Sequence, residues 1–271
     1  VGCTSFSVWG KKSADSSLLV GRNFDFYAGR KFSENKIVCF VNPSEGNRFM
    51  MITWAGMIGV VSGMNEKGLT VTINAASSSV PMQAATPVSI VAREILQYAS
   101  NIEEAYEIAG QRKMFVSESI LIGSARDGMS AIIEKSPDKT GMFYPEGDQI
   151  ICANHFQGET FSDDKHNIEN IRGSDSKYRF DRLSELLTAD SVIDVERAVS
   201  ILRNRFGLND ADLGMGNPMA INQLIAHHSV VLKPSEQLVW VSTPPWQLGK
   251  FVAYDLNRIF SMPVSGITNI P

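Results

Sequence analysis

The sequence predicts an α+β fold in which two antiparallel β-sheets pack face to face with a helical layer outside each. Three observations carry this reading. Stretches with the period of strands and stretches with the period of helices come in blocks, in the order strands, two helices, strands, two helices, strands. The regular strand–helix alternation that builds a doubly wound parallel sheet is absent. Of 271 residues, 44% are hydrophobic and 20% charged, which suits one core in one domain over 1–271, since single layered domains reach roughly 250 residues.

Taken in order, residues 4–9 (Thr-Ser-Phe-Ser-Val-Trp) alternate small polar with large apolar side chains, the pattern of a strand with one buried face. Turn residues fill 10–15, and Leu18-Leu19-Val20 opens a second strand that runs through Arg22 to Phe26, making an antiparallel hairpin. Further strands are predicted at 36–42, 49–54, 57–62 and 69–74, the last two joined by the polar loop Gly63-Met64-Asn65-Glu66-Lys67-Gly68. A Ser/Ala/Pro linker at 76–87 precedes a change of period. Pro87 suits a first helical turn, and Val88, Val91, Ala92, Ile95, Leu96 and Ala99 fall at helical spacing. A second helix over 101–109 has acidic residues near its start and Gly110 as its stop. Strands at 118–122 and 131–134 flank an Asp127-Gly128 turn, and a strand at 149–153 runs into Asn154-His155-Phe156. The polar stretch 157–173 reads as a surface loop, 175–187 and 190–205 as amphipathic helices, 207–219 as loop, and 229–233, 238–242 and 251–255 as closing strands.

The bulk numbers exclude several functions. A net charge of −4 and a pI near 5.6 leave no basic footprint for nucleic acid. No run approaches the roughly 18 apolar residues of a membrane span. The expectation is a soluble chain, cytoplasmic or exported after loss of an N-terminal segment. Cys3, Cys39 and Cys152 lack the spacing of a zinc site. In an oxidising compartment Cys39 and Cys152 can pair and leave Cys3 free; reduced thiols are the default reading. GxSxG, GxGxxG, the Walker pattern and HExxH are all missing, so no metal or cofactor is expected.

What remains is Cys3. A cysteine that becomes the first residue of a chain carries its own base in the α-amino group, whose pKa of about 8 lets it accept the thiol proton. Gly2 suits a cut at this point, because it leaves the preceding carbonyl unobstructed.

Gly2-Cys3-Thr4-Ser5-Phe6, Gly21-Arg22-Asn23-Phe24-Asp25, Gly63-Met64-Asn65-Glu66-Lys67-Gly68-Leu69 and Asn154-His155-Phe156, in this order and at these separations, resemble the N-terminal-nucleophile (Ntn) hydrolases of the choloylglycine hydrolase group. That group includes bile salt hydrolases, penicillin V acylases, acid ceramidase-like amidases and penicillin acyltransferases. Ser229-Val230-Val231-Leu232 and Leu238-Val239-Trp240-Val241-Ser242 look like its closing strands. The resemblance implies the four-layer αββα Ntn-hydrolase sandwich and makes Cys3 the nucleophile, with its freed amine as base. It implies that Asp25 holds the α-ammonium while Arg22 favours the thiolate. These two lie three apart, so on a regular strand they face opposite sides, and a bulge or the strand's end has to bring them together. Asn154 matches the oxyanion-stabilising asparagine and Asn74 resembles a second donor. Arg179 resembles the supporting late arginine, with Arg182 as its competitor. His155 is read as a structural neighbour.

Val1-Gly2 still precede Cys3, so the resemblance implies autoproteolysis before Cys3. The activity expected is hydrolysis of a linear amide C–N bond in an N-acyl amide through an acyl-thioester. Acyl transfer to an amine is the alternative within the group. A binding domain with Cys3 as a lipid anchor is the alternative outside it. Phe24, Trp54, Met57 and Met64 are candidates for an apolar acyl pocket, against the plainer reading of core residues. The partner is a small-molecule N-acyl amide, and the resemblance also implies a homo-oligomer.

Overall fold

The computed structural model describes residues 2–29, 31–78 and 84–262. In chain order the elements are β1 (Thr4–Val8), β2 (Leu19–Asp25), β3 (Ile37–Val41), β4 (Phe49–Thr53), β5 (Ser62–Asn65), β6 (Leu69–Ala75), α1 (Val88–Tyr98), α2 (Ile102–Gln111), β7 (Glu118–Ser124), β8 (Met129–Lys135), β9 (Thr140–Phe143), β10 (Gln149–Cys152), α3 (Lys165–Gly173), α4 (Ser176–Ala189), α5 (Val195–Leu202), β11 (Ala226–Lys233), β12 (Leu238–Ser242), β13 (Phe251–Asp255) and α6 (Leu256–Ser261). They form a six-stranded sheet, β10-β1-β2-β11-β12-β13, and a seven-stranded sheet, β3-β4-β5-β6-β7-β8-β9. Neighbouring strands in both are antiparallel.

Three apolar layers hold the stack together. Val91, Ala92, Ile95 and Leu96 of α1 pack with Val71, Ile73, Ile120 and Ile122 on the outer face of the larger sheet. Leu183 and Leu187 of α4 and Ile201 and Leu202 of α5 cover Phe6, Val8 and Val231 on the outer face of the smaller one. Between the sheets lie Val20, Met50, Ile52, Met64, Leu121, Ile132 and Val230. Each fully buried large side chain stabilises by about 1.5–3 kcal/mol, so the predicted sandwich follows from period-two strands meeting helices with one apolar stripe.

The position of β1, inside the smaller sheet between β10 and β2, changes one expectation. Both its faces are buried, because the small polar residues turn toward the other sheet and bond there: Ser5 Oγ donates to Asn74 Oδ1 at 3.0 Å and Ser130 Oγ to Ser7 Oγ at 2.8 Å. The strand predicted at 57–62 lies later, at Ser62–Asn65, since a turn through Gly56 (φ +83°) occupies the preceding residues. Gly63 is itself a strand residue. A Cβ there would stand 2.4 Å from the Met50 carbonyl oxygen. The turn shrinks to 65–68, where Asn65 Oδ1 accepts from the amides of Lys67 and Leu69, each at 3.0 Å.

The expected loop at 157–173 contains α3, which buries only Asn167 and so has no apolar stripe; its start is set by Asp164 accepting from Asn167 N at 3.0 Å. The helix predicted at 190–205 is shorter because Asp194 caps it, accepting from Arg197 N at 2.7 Å. Strand β9 and helix α6 are additions. The predicted linker at 76–87 lies partly outside the described residues, as does Val1.

Candidate active site

Cys3 stands immediately before β1, and by strand alternation it shares the face of Ser5 and Ser7, toward the larger sheet. Arg22 is opposite Ser5 across the hairpin, which brings its side chain into the same layer. The buried guanidinium donates through Nη1 to Ser62 Oγ at 3.0 Å and to the Val61 carbonyl at 3.3 Å. Through Nη2 it donates to the Ile73 carbonyl and reaches the Cys3 sulfur at 3.5 Å. Its Cζ lies 4.7 Å from the centroid of the Phe24 ring, and among the described residues it makes no ion pair.

Asp25 is the last residue of β2 and, by alternation, shares the opposite face with Asn23, whose Nδ2 donates to the carbonyls of Leu202 and Ile221 on the helical side, each at 2.9 Å. At the strand's end the Asp25 carboxyl feels the charges of Arg179 and Arg22 without a hydrogen bond to either. The Gly2 amide donates to the Asp25 carbonyl at 3.1 Å, carrying the hairpin past Thr4, and the β11 register shifts between Ala226 and His228 alongside. Both Asp25 carboxylate oxygens are buried with no hydrogen-bond partner among the described residues. Burial pushes this carboxyl up to about 7, against the pull of Arg179 and Arg22. The Cys3 thiol is also raised. Burial is the largest cause and outweighs Arg22, while Asp25 and Glu118 push the same way and a hydrogen bond from the Asp25 backbone opposes them. Arg22 favours the thiolate as expected, but burial wins.

Arg179 on α4 donates to Asn154 Oδ1 at 2.8 Å and to the Pro218 carbonyl at 2.7 Å. A guanidinium can only donate, so the Asn154 oxygen must face it and the amide NH2 is directed away. One of those N–H groups is held by the Ala75 carbonyl at 2.8 Å, and the Asn154 backbone amide donates to Ser176 Oγ at 2.7 Å. Asn74 is fixed comparably, accepting from Ser5 and donating to the Cys152 carbonyl at 3.0 Å. Each asparagine therefore keeps a second N–H. Arg182, the competitor, points elsewhere, to Glu185 and Asp210. His155 bonds Ser176 Oγ through Nδ1 at 2.7 Å and is pushed down to about 4 by burial, as fits a structural neighbour. All three cysteines are free.

Of the pocket candidates, Phe24 stacks on Trp54 (centroids 6.2 Å, planes 9° apart) and on Phe26 (6.0 Å, 11°). Beyond them a cavity of about 300 Å³ is lined by Phe26, Tyr27, Phe32, Leu224, Pro244 and Trp246, among others. Met57 is half-buried against the α1 layer. Met64 is sealed between the sheets with Met50 and Ile52, the plainer core reading, because its strand is central and that face of it meets the other sheet.

Sequence reasoning missed Glu118, Gln223 and the pair His228–Ser62. Glu118 opens β7 with its carboxyl pushed up to about 8 by burial, against Arg22; a carboxylate heading a strand with an Ile-Leu-Ile centre was its only signal. His228 Nε2 meets Ser62 Oγ at 2.8 Å, so the hydroxyl that accepts from Arg22 is itself held.

Two antiparallel sheets packed face to face, with helices on both outer faces, are the fold of the Ntn-hydrolase class. The family model for acyl-coenzyme A:6-aminopenicillanic acid acyl-transferase matches residues 10–211, and the chain belongs to that family. A curated relative, an uncharacterized protein of Archaeoglobus fulgidus, is 25% identical over 227 residues; the match takes in 74% of this chain but only 37% of that protein, so the chain spans about a third of the relative's length. Among solved structures, the N-acylethanolamine-hydrolyzing acid amidase ortholog of Caenorhabditis elegans is similar with a TM-score of 0.62 at 16% identity, covering 86% of this chain and 93% of that one. Conjugated bile acid hydrolase from Clostridium perfringens gives 0.59 at 14% identity, over 94% and 93%. Penicillin V acylase from Agrobacterium tumefaciens gives 0.55 at 16% identity, over 94% and 87%. At these identities the likeness is one of fold. Among the described residues no helix is long and apolar enough to cross a membrane.

Proposed function

We propose that this chain is a cysteine Ntn amidohydrolase that frees Cys3 by autoproteolysis and then cleaves the linear C–N bond of an N-acyl amide. The observation that carries the reading is the Arg22 guanidinium 3.5 Å from the Cys3 sulfur in a buried site with no contacting carboxylate among the described residues, beside Asp25 and an Asn154 amide oriented by Arg179. After maturation the α-amine takes the thiol proton and Cys3 Sγ attacks the substrate carbonyl carbon. The free N–H groups of Asn154 and Asn74 stabilise the oxyanion. The amine's proton passes to the leaving nitrogen, and water then splits the thioester into a carboxylic acid and the regenerated thiol. The stacked Phe24, Phe26 and Trp54, with the cavity beyond them, suit an apolar acyl group. A lipid on Cys3 has no supporting geometry, since the residue is 1% exposed.

Acyl transfer is the second reading, favoured by the description of the matching family; it differs only in an amine taking the place of water at the thioester. The test is turnover of glycocholate, N-acylethanolamines and penicillin V by cleaved protein, with and without an amine acceptor, alongside Cys3→Ala. The expected result is turnover that disappears in the variant; turnover that survives Cys3→Ala refutes the assignment. Formation of a new amide in preference to free acid selects transfer over hydrolysis.

A further inference from the structure

Gln223, in the connection between α5 and β11, is buried and lies 221 positions from Gly2, yet its Nε2 donates to the Gly2 carbonyl oxygen at 2.7 Å. That oxygen belongs to the bond whose cleavage would free Cys3. We propose that Gln223 is the oxyanion donor for self-cleavage of the Gly2–Cys3 bond, a catalytic residue of maturation separate from the donors that serve the substrate. The inference rests on reading Cys3 as a self-releasing nucleophile.

Three features support it. The Gly2 amide is tied to the Asp25 carbonyl at 3.1 Å, which fixes the peptide, while no reciprocal bond from the Asp25 amide takes the Gly2 carbonyl. The carbonyl is therefore turned out of the strand ladder toward Gln223. A Cβ at residue 2 would lie 2.4 Å from Gln223 Nε2 and 2.7 Å from Oε1, so a larger residue there would push the Gln223 amide off the carbonyl. Glycine leaves the Gln223 amide its place against the carbonyl. Finally, the bonds made by Asn74 and Asn154 go to the carbonyls of Cys152 and Ala75, and neither amide donates to Gly2.

In the step proposed, Cys3 Sγ bonds to the Gly2 carbonyl carbon and the negative charge develops on the oxygen that already faces Gln223. The C–N bond then breaks, the thiol proton ends on the Cys3 nitrogen, and a thioester joins Gly2 to the sulfur. Water hydrolyses it, its hydroxyl going to the Gly2 carbon and its hydrogen to the sulfur.

The experiment follows loss of the segment before Cys3 by intact mass over time in wild type, Gln223→Glu, Gln223→Met and Cys3→Ala, with thermal melting to establish that each is folded. Loss of one oxyanion donor slows a step by about 100- to 1000-fold, and both Gln223 variants are expected to slow by at least about 100-fold. Gln223→Glu keeps the shape and regains a donor when protonated, so its rate relative to wild type is expected to rise as pH falls, a change that a purely structural role would not produce. Cleavage of Gln223→Glu at the wild-type rate at neutral pH overturns the proposal and leaves the amidase reading standing. Wild type that never cleaves, or Cys3→Ala that does, removes the reading beneath both.

Discussion

Arg179 and Arg182 lie one turn apart on α4 and are buried to nearly the same degree, yet they are bonded in opposite ways. Arg182 meets two carboxylates, Glu185 Oε2 at 2.8 Å and Asp210 Oδ1 at 2.5 Å. Burial pulls its proton affinity down, but these bonds outweigh it and the net shift is upward. Among the described residues Arg179 touches only neutral oxygens, on Asn154 and Pro218, and its Nε has no partner. Burial lowers it, and the charges that oppose this, Asp25 and Cys3 first, act through space. A buried charge without a contacting counterion is costly. The fold carries that cost at Arg179 and Arg22, whose fields converge on Cys3 and Asp25, and neutralises it at Arg182, which ties α4 to the loop at 207–212.

The largest expected difference is therefore in catalysis. Arg179→Met frees the Asn154 side chain to turn its oxygen into the site, and kcat/KM is expected to fall by about 100-fold, in the range of losing an oxyanion donor. Arg182→Met should leave kcat/KM per folded molecule within about twofold and lower the unfolding free energy by about 1–2 kcal/mol, because Asp210 and Glu185 are near the surface and become solvated once freed. Denaturant titration and steady-state kinetics on both variants decide the matter. An inactive Arg182→Met beside an active Arg179→Met would reverse the assignment of the two residues.

The same contrast shows how much was legible in advance. The layers were, because α1, with Val91, Ile95 and Leu96 on one face, and β6, with alternating Leu69, Val71 and Ile73, display their periods in the chain itself. The short order Cys3, Arg22, Asp25, Asn154 was readable as a set of motifs, and the structure brings those residues together. Arg179 could not be told from Arg182 by spacing, since both lie on the buried side of one helix; their partners, at Asn154 and at Asp210, are fixed only by tertiary packing. Gln223 is the extreme case, as nothing near it in sequence hints at Gly2. Helix α3 escaped because its polar surface gives no stripe, and Met64 was misleading because core and pocket methionines look alike in one dimension.

Glu118 gives the finest test of unpaired burial, because one of its oxygens has no partner and its field reaches both Arg22 and Cys3. Its carboxyl rises from 4.5 to about 8, so between those values the native chain holds a proton that the unfolded chain has released, and stability falls as pH rises through the window. Asp25 acts in the same direction up to about 7. His155 and His227, both pushed down to about 4 from 6.5, act oppositely: the unfolded chain binds more protons between those values, so their contribution grows with pH and is complete above 6.5. Above pH 6.5 the fall due to the carboxyls is no longer offset by these histidines. Glu118→Gln, built on Cys3→Ala so that Gly2 stays attached, is expected to melt near its parent at pH 5 and above it at pH 8. Parallel melting curves for the two proteins from pH 5 to 8 would mean that Glu118 is ionised at neutral pH, held by Arg22 as a contact counterion. The contrast between the paired Arg182 and an unpaired Arg22 would then fail.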